Sequence, residues 1–158
     1  YLTMTHQQKV DFLLLEFPER LHELDPYAAP QWGKMSVQQM IEHMVDAVSN
    51  ANGKISLPLV TPTDKLQLFR DFMLSDKDFR PDTKNPLMPE TPAPVHFEDV
   101  QKAIGKLRIE LSDFVDFYKE NPEKKFMNPI FGELNYEEWT HLLYKHAHHH
   151  LRQFAMII

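Results

Sequence analysis

Four long stretches of this chain repeat apolar residues every three or four positions, the spacing of a helix with one buried face. They cover about residues 5–24, 36–52, 97–120 and 135–158. Two of the starts are capping boxes, Ser36 with Gln39 and Asn135 with Glu138. No stretch of similar length alternates with the two-residue period of a strand. The pattern predicts an all-α fold, a four-helix bundle, in a single domain that spans residues 1–158.

The connection between the second and third predicted helices is long, about residues 53–95, and is rich in proline. Within it, residues 63–74 have the spacing of one short helix, while the prolines keep the rest extended or turning. Such a length suits a long crossover between two helices that run in the same direction, or a lid over a site. We therefore predict the order up, down, down, up. Pro18 lies inside the first helix, where a proline costs about 3 kcal/mol, so we expect a kink or two shorter helices there.

The absence of cysteine limits the chemistry that the chain can perform. It excludes disulfides, thiolate ligands and a cysteine nucleophile, so a metal ion would be bound through nitrogen and oxygen. A net charge of -6 argues against a nucleic-acid surface. The apolar runs fall far below the ~20 residues of a membrane helix, and no basic and apolar leader begins the chain, which predicts a cytoplasmic protein with no membrane contact. The chain starts with Tyr1 and not with methionine, so earlier removal of a leader stays open.

The last predicted helix contains the densest cluster of histidines, in the stretch YKHAHHHLRQF at residues 144–154. Helical residues advance about 100° each, so His150 lies about 40° round from His146 and one turn further along. Both fall within the sector of the apolar residues, and we expect both imidazoles to face the core. His149 lies at the margin of that sector, and we expect His148 to point into solvent.

Two histidines one turn apart on an apolar helix face can bind one metal ion. Without an ion, each buried imidazole has a donor and an acceptor to satisfy, and each disfavours a charge on the other. The alternatives are bonds to each other, to water or to Tyr144, or a rotated helix on which the cluster is a polar face. His43, at the edge of the apolar stripe of the second helix, is the best candidate for a third ligand, unless it is an ordinary boundary histidine. Three neutral imidazoles suit zinc or nickel, and also iron, with an open coordination position.

Several residues near these histidines are candidates for a supporting role. Asp46 and Glu42 are the nearest carboxylates and therefore candidate general bases, although such residues more often lie on a solvated helix face. Gln153 is placed to orient His150 or a substrate, unless it is a boundary glutamine bonded to water. The remaining candidates either line a substrate pocket or belong to the core and its margin: Trp32, Met35, Met40, Met44 and His149.

This set of residues resembles the DinB-like superfamily of four-helix bundles. Its signature is one histidine in the second helix and an H-x-x-x-H pair in the last, followed by a glutamine three residues later, here His43, His146, His150 and Gln153. The stretches WGKMSVQQMIEHM and NPIFGELNYEEWTHLLYKHAHHHLRQF, at residues 32–44 and 128–154, carry the resemblance. It implies an up, down, down, up bundle, a divalent ion bound by the three histidines, and a homodimer.

The resemblance also implies an activity. Characterised relatives transfer low-molecular-weight thiols such as bacillithiol or isomerise substrates with mycothiol, and others are described as metal-dependent hydrolases. We therefore expect a metal-dependent enzyme that activates water or a thiol and acts on a small-molecule substrate, as a hydrolase or a thiol S-transferase. Zinc or nickel is the expected ion, and a low-molecular-weight thiol is a possible second cofactor. The alternative is a helical bundle that binds a metal or a small ligand without catalysis, and the sequence leaves this choice open.

Overall fold

The structure, a computed structural model, describes residues 3–83 and 89–157, and most of these residues are helical. The elements, in chain order, are α1 His6–Asp11, a π-helical turn Phe12–Glu16, α2 Phe17–Glu23, α3 Val37–Ala51, α4 Thr63–Leu74, α5 Val100–Glu120, β1 Phe126–Asn128, β2 Gly132–Leu134 and α6 Tyr136–Gln153. The predicted helical fold is confirmed, whereas the order up, down, down, up stays a prediction. No helix within the described residues is long and apolar enough to cross a membrane.

The first predicted helix is a helical segment that a wide turn divides. Thr5 caps α1 in a capping box with Gln8. In the π-helical turn the Phe17 N–H bonds the carbonyl of Phe12, five residues back, and Pro18 follows at the start of α2. Proline has no N–H to donate, and its ring needs room against the preceding turn. The wide turn provides that room, so the expected irregularity at Pro18 takes the form of a π turn.

The helices bury their apolar faces against one another around one core. Helix α3 packs along α5, α1 packs against α6, and α2 packs against α5, while α3 and α4 also contact α6. Large side chains with at most 1% exposure fill the space between them, among them Phe17, Leu21, Met40, Met44, Ile104, Leu107, Phe114 and Trp139. The contact between α3 and α6 matters most for function, because these two helices carry the histidines of the predicted site.

A buried carboxylate fastens α5 to the end of α3. Glu110 is 1% exposed and accepts hydrogen bonds from Asn52 Nδ2 at 2.8 Å, Lys54 Nζ at 3.0 Å and Lys106 Nζ at 3.0 Å. Burial by itself raises the pKa of Glu110, but these hydrogen bonds outweigh it and lower the pKa to about 2. The carboxylate is therefore charged at neutral pH and stabilises the folded chain.

Two details differ from the sequence prediction. The sequence predicted no strand, yet β1 and β2 form an antiparallel hairpin in which Phe126 pairs with Leu134. Strands of three residues are too short to show an alternating pattern, and this explains the omission. The last helix was predicted to run to the C-terminus but ends at Gln153, and Ala155 just after it has a positive φ of 57°.

The long connection folds back onto α6. Its predicted helix is confirmed as α4, and the Lys145 ammonium of α6 bonds the carbonyls of Phe72 at 3.0 Å and Met73 at 3.1 Å at the end of α4. A positive charge at this position suits the negative end of a helix. Of the predicted proline-rich segment at 81–95, residues 84–88, with Pro86, lie outside the described residues.

Candidate metal centre

Three histidines from two helices converge between α3 and α6. His43 Nε2 lies 3.0 Å from His146 Nε2, and one ring nitrogen of each of His43, His146 and His150 lies within 4.8 Å of the others. His150 is buried, and the other two are partly buried. The capping box at Ser36 starts α3, and the one at Asn135 starts α6, so each histidine sits on a regular helix with a fixed beginning. These are the three residues that the sequence proposed as ligands, and their binding of an ion stays a prediction.

Gln153 fixes the orientation of His150. The Gln153 side chain is 4% exposed, and its Oε1 lies 2.7 Å from His150 Nδ1. Because an amide oxygen only accepts, Nδ1 carries the proton and Nε2 carries the lone pair. His150 Nε2 is buried and has no hydrogen-bond partner in the described part of the chain. An unpaired buried acceptor beside two further imidazoles is the arrangement that a metal ion completes.

A turn before α3 holds Gln153 in place. Gln153 Nε2 donates to the carbonyl of Trp32 at 3.1 Å, and the Gln31 N–H donates to the Gln153 backbone carbonyl at 2.6 Å. Gly33 has a φ of +75°, and a Cβ added there would lie 3.3 Å from Gln153 Nε2. Glycine at position 33 thus lets the turn approach the glutamine that orients His150.

Burial keeps the three imidazoles neutral. Burial, with a smaller contribution from His149, lowers the pKa of His43 to about 4. Burial and then the facing histidines lower the pKa of His146 and of His150 well below the usual value, although the Gln153 bond opposes this at His150. Neutral imidazoles present lone pairs, which is the form that binds metal ions.

The donor set fits a divalent ion. Zinc holds nitrogen ligands at about 2.0–2.1 Å in a tetrahedron, which places them about 3.3 Å apart. The observed separations, from 3.0 Å to within 4.8 Å, bracket this value. Among the described residues the group contains no carboxylate and no thiolate. Three neutral nitrogens suit zinc or nickel and leave at least one coordination position for another ligand.

His149 lies beside the centre with aromatic neighbours. Its ring centroid is 5.3 Å from those of Trp32 and His150, and 6.1 Å from that of Phe79, in the segment after α4. Trp32 and His149 are both partly buried, and their role in a substrate pocket stays a prediction. Phe79 was not among the predicted residues, because nothing in its local sequence shows that the segment after α4 returns to α6.

The prediction that His148 points into solvent is wrong. Its ring lies 4.9 Å from that of Phe12 and 4.4 Å from that of Tyr144, and its Nε2 is buried. The helical wheel assigned α6 one buried face, whereas α1 and the π-helical turn cover a second side of this helix. Burial accordingly lowers the pKa of His148.

Three other candidate residues, Glu42, Met44 and Asp46, also lie on α3. Asp46 is exposed, and Met44 is fully buried in the core. Glu42 does not lie on a solvated face as expected: it is 9% exposed, and its carboxylate accepts the backbone N–H groups of His96 at 2.7 Å and Phe97 at 3.4 Å. Glu42 therefore ties the end of the proline-rich segment to α3, one residue before His43.

Fold and site together define a helical protein with a cluster of three buried or partly buried, neutral histidines able to bind a metal ion. The family model of the DinB superfamily matches residues 13–154, and the chain belongs to that superfamily. The resemblance seen in the sequence is thereby confirmed. A search of curated proteins gave no match, and neither did a search of solved structures.

Proposed function

We propose that this protein is a metal-dependent enzyme in which His43, His146 and His150 bind one divalent ion, zinc or nickel. The observation that supports this most directly is the unpartnered Nε2 of His150. The bond from His150 Nδ1 to Gln153 leaves the lone pair on this Nε2, beside the other two imidazoles. Nothing else among the described residues bonds this nitrogen. Purely structural buried histidines usually have both ring nitrogens bonded.

The residues of the chain determine what the site can do. Three neutral ligands leave the charge of a divalent ion uncompensated, so the open position favours an anionic or ionisable ligand. An ion bound there supplies Lewis acidity, which lowers the pKa of a coordinated water or thiol. Gln153 and the Trp32 turn keep His150 in one orientation, and the His150 and Gln153 side chains are both buried. The reaction classes that fit are hydrolysis and thiol transfer to a small-molecule substrate.

The second candidate is a metal-binding bundle without catalysis. It is supported by the position of the three histidines on two different helices. An ion bound by His43 of α3 and by His146 and His150 of α6 would link these helices and stabilise their packing. In that case the ion contributes to stability alone.

Metal analysis of protein prepared without a histidine tag tests the site. We expect about one zinc or nickel per chain in the wild type and none in His146→Ala. His22→Ala, which removes an exposed histidine of α2, is the matched control and should keep its metal. Full metal content in His146→Ala would refute the ligand assignment.

Chelation separates the two candidate functions. An ion present at about a hundredfold its Kd adds about 2.7 kcal/mol, so its removal should lower Tm by roughly 5–10 °C. The enzyme predicts, in addition, metal-dependent turnover in a panel of amide, ester and thiol-transfer substrates. A lower Tm together with a flat panel in the metal-loaded protein would favour the non-catalytic bundle.

The remaining features belong to the same proposal. A low-molecular-weight thiol as cosubstrate, a homodimer, a location in the cytoplasm and the up, down, down, up order of the bundle all derive from the superfamily resemblance or the sequence pattern. Mass measurement by light scattering tests the dimer: a mass of about 37 kDa is expected, twice the 18.7 kDa of one chain, and 18.7 kDa would refute it.

A further inference from the structure

Helix α4 is held on the rest of the protein by one of its two faces. Met73 is fully buried in the core, and Leu66 lies against the hairpin at Gly132, where an added Cβ would be 3.4 Å from the leucine side chain. Arg70 Nη2 pairs with the Glu138 carboxylate of α6 at 2.7 Å. The helix is therefore firmly docked, and the exposure of its other face does not come from loose packing.

The outer face of α4 is apolar although it is exposed. Residues advance about 100° each, so Leu68 points away from Leu66 and Arg70, and it is 68% exposed. Phe72 lies one turn later on the same side, Phe69 lies at its margin, and each is 36% exposed. Single exposed apolar residues are normal, but three on one helix of 12 residues form a continuous patch, which is typical of an interaction surface.

Two opposite charges flank this patch. Lys65 and Asp71 are both exposed, and they lie three residues before and three residues after Leu68, about 60° to either side of it on the helix. The Asp71 carboxylate accepts a hydrogen bond from Gln67 Nε2 at 2.8 Å. Within the described ranges, neither charge takes part in an ion pair. Both are therefore available to a partner that covers Leu68.

A second copy of the same helix complements the patch and both charges. In a dimer with two-fold symmetry the two copies use the same surface, so each contact occurs twice. If the axis crosses α4 at Leu68, the two helices run antiparallel, and position 65 of one copy faces position 71 of the other. Lys65 then lies beside the partner's Asp71, and Leu68 packs on the partner's Leu68. A parallel pair would bring like charges together, which is unfavourable.

We propose that two copies of this chain associate through the outer faces of α4, antiparallel around Leu68. This deepens the homodimer proposed above by naming its surface, and it does not depend on the metal ion. Two faces of 12 residues, each about 18 Å long and about 10 Å wide, bury on the order of 800 Å² in total. That area is at the low end for specific interfaces, so we expect a weak dimer with a Kd of about 1–100 µM.

Sedimentation equilibrium over a concentration series tests the interface. The mass of the wild type should rise from 18.7 kDa toward twice that value as the concentration passes through the Kd. Leu68→Glu should weaken the dimer about a hundredfold or more, because a charge enters the centre of the interface in both copies. The matched control is Ile109→Glu on α5, where the native side chain is 55% exposed, and its Kd should equal that of the wild type. A wild-type Kd in Leu68→Glu, or equal weakening in both variants, would overturn the proposal.

Exchanging the two charges tests the antiparallel register. Lys65→Asp brings two carboxylates together at each end of the interface, and Asp71→Lys brings two ammonium groups together, so each should weaken the dimer about tenfold. The double variant Lys65→Asp with Asp71→Lys restores opposite charges across the interface and should return to the wild-type Kd. These differences should shrink in high salt. A double variant as weak as the single ones would show that the register is wrong.

Cross-linking gives a direct readout of which faces meet. The chain contains no cysteine, so an introduced thiol reports on one position alone. The axes of packed helices lie about 8–10 Å apart, within reach of a short bis-maleimide reagent. Leu68→Cys should therefore give a covalent dimer, whereas Ile109→Cys, which is also exposed, should not. Equal yields from the two positions would indicate random collision and would overturn the proposal.

Metal analysis of the same proteins keeps this inference separate from the proposed enzyme. Leu68→Glu should retain the metal content of the wild type while it loses the dimer. If the wild type binds metal but is monomeric at every concentration, the interface fails and the metal centre stands. If it binds no metal but dimerises through α4, the metal-dependent function fails and the interface stands. A dimer that is unchanged in Leu68→Glu keeps the homodimer and refutes α4 as its surface.

Discussion

Replacing Gln153 with alanine should weaken metal binding as well as the fold. The substitution removes the acceptor 2.7 Å from His150 Nδ1 and the donor 3.1 Å from the Trp32 carbonyl. Because Gln153 is 4% exposed, water has little access to replace either bond. His150 is left with a buried, unpaired N–H and with a ring that no neighbour orients.

The expected magnitude follows from these contacts. An unpaired buried donor costs about 1–3 kcal/mol, and loss of the group that orients a metal-binding histidine typically lowers metal affinity about 10–100-fold. Gln153→Glu should behave differently from the alanine variant, because a carboxylate accepts the same proton from His150 Nδ1 and makes the ring a stronger ligand. It loses the bond to Trp32, so its stability should fall while its zinc affinity stays at or above the wild-type level.

Competition with a chromophoric zinc chelator at neutral pH measures the affinity, and urea denaturation of the metal-free protein measures stability. Gln38→Ala is the matched control: Gln38 Nε2 donates to the carbonyl of Phe97 at 2.7 Å and also holds a loop on a helix, but it bonds no imidazole. It should lower stability and leave zinc affinity unchanged. Wild-type affinity in Gln153→Ala, or an equal loss in Gln38→Ala, would refute the orienting role.

Two further predictions concern stability. The pKa of Glu110 is lowered from 4.5 to about 2, so its carboxylate stabilises the fold by up to about 3 kcal/mol above about pH 5, and this stabilisation is lost as the pH falls toward 2. In urea denaturation, Glu110→Gln should be less stable than the wild type at pH 6, and its free energy of unfolding should change less between pH 6 and pH 2. Parallel curves of unfolding free energy against pH for the two proteins would contradict the assignment. Gly53→Ala should cost about 2 kcal/mol or more, because the new Cβ would lie 2.2 Å from the Phe126 ring at a φ of +84°. Its control is Gly105→Ala in α5, where the added Cβ has nothing within 4 Å and helix propensity should raise the free energy of unfolding by about 1 kcal/mol. If Gly53→Ala were the more stable of the two variants in the same assay, the close contact between position 53 and Phe126 would be refuted.

The sequence predicts the helices well because their signals are local. The start of α3 follows from the capping box at Ser36, and the start of α6 follows from the one at Asn135, each to within a residue. The hairpin at Phe126 escapes prediction because it depends on pairing between two very short segments. The π-helical turn is intermediate: Pro18 shows that the helix is irregular, but several local geometries would relieve the same conflict.

In the candidate site, too, local features could be predicted from the sequence and long-range contacts could not. The phase of α6 predicts that His146 and His150 share a face, since this depends on helix geometry alone. Two contacts of the long connection could not be predicted: the hydrogen bond from its end to Glu42, and the ion pair between Asp78 and Arg152. Both depend on where the connection packs against α3 and α6, which no local pattern encodes.

The π-helical turn Phe12–Glu16 allows one helical segment to pack against two neighbouring helices. Helix α1 packs on α6, α2 packs on α5, and the turn between them touches both. A π turn holds one residue more than a regular turn, so it changes the phase of everything that follows by about 100°. Deleting a single residue there would take away the room that Pro18 needs and would rotate Phe17 and Leu21, both fully buried, out of the core. Across related chains, this stretch should therefore vary in sequence far more readily than in length.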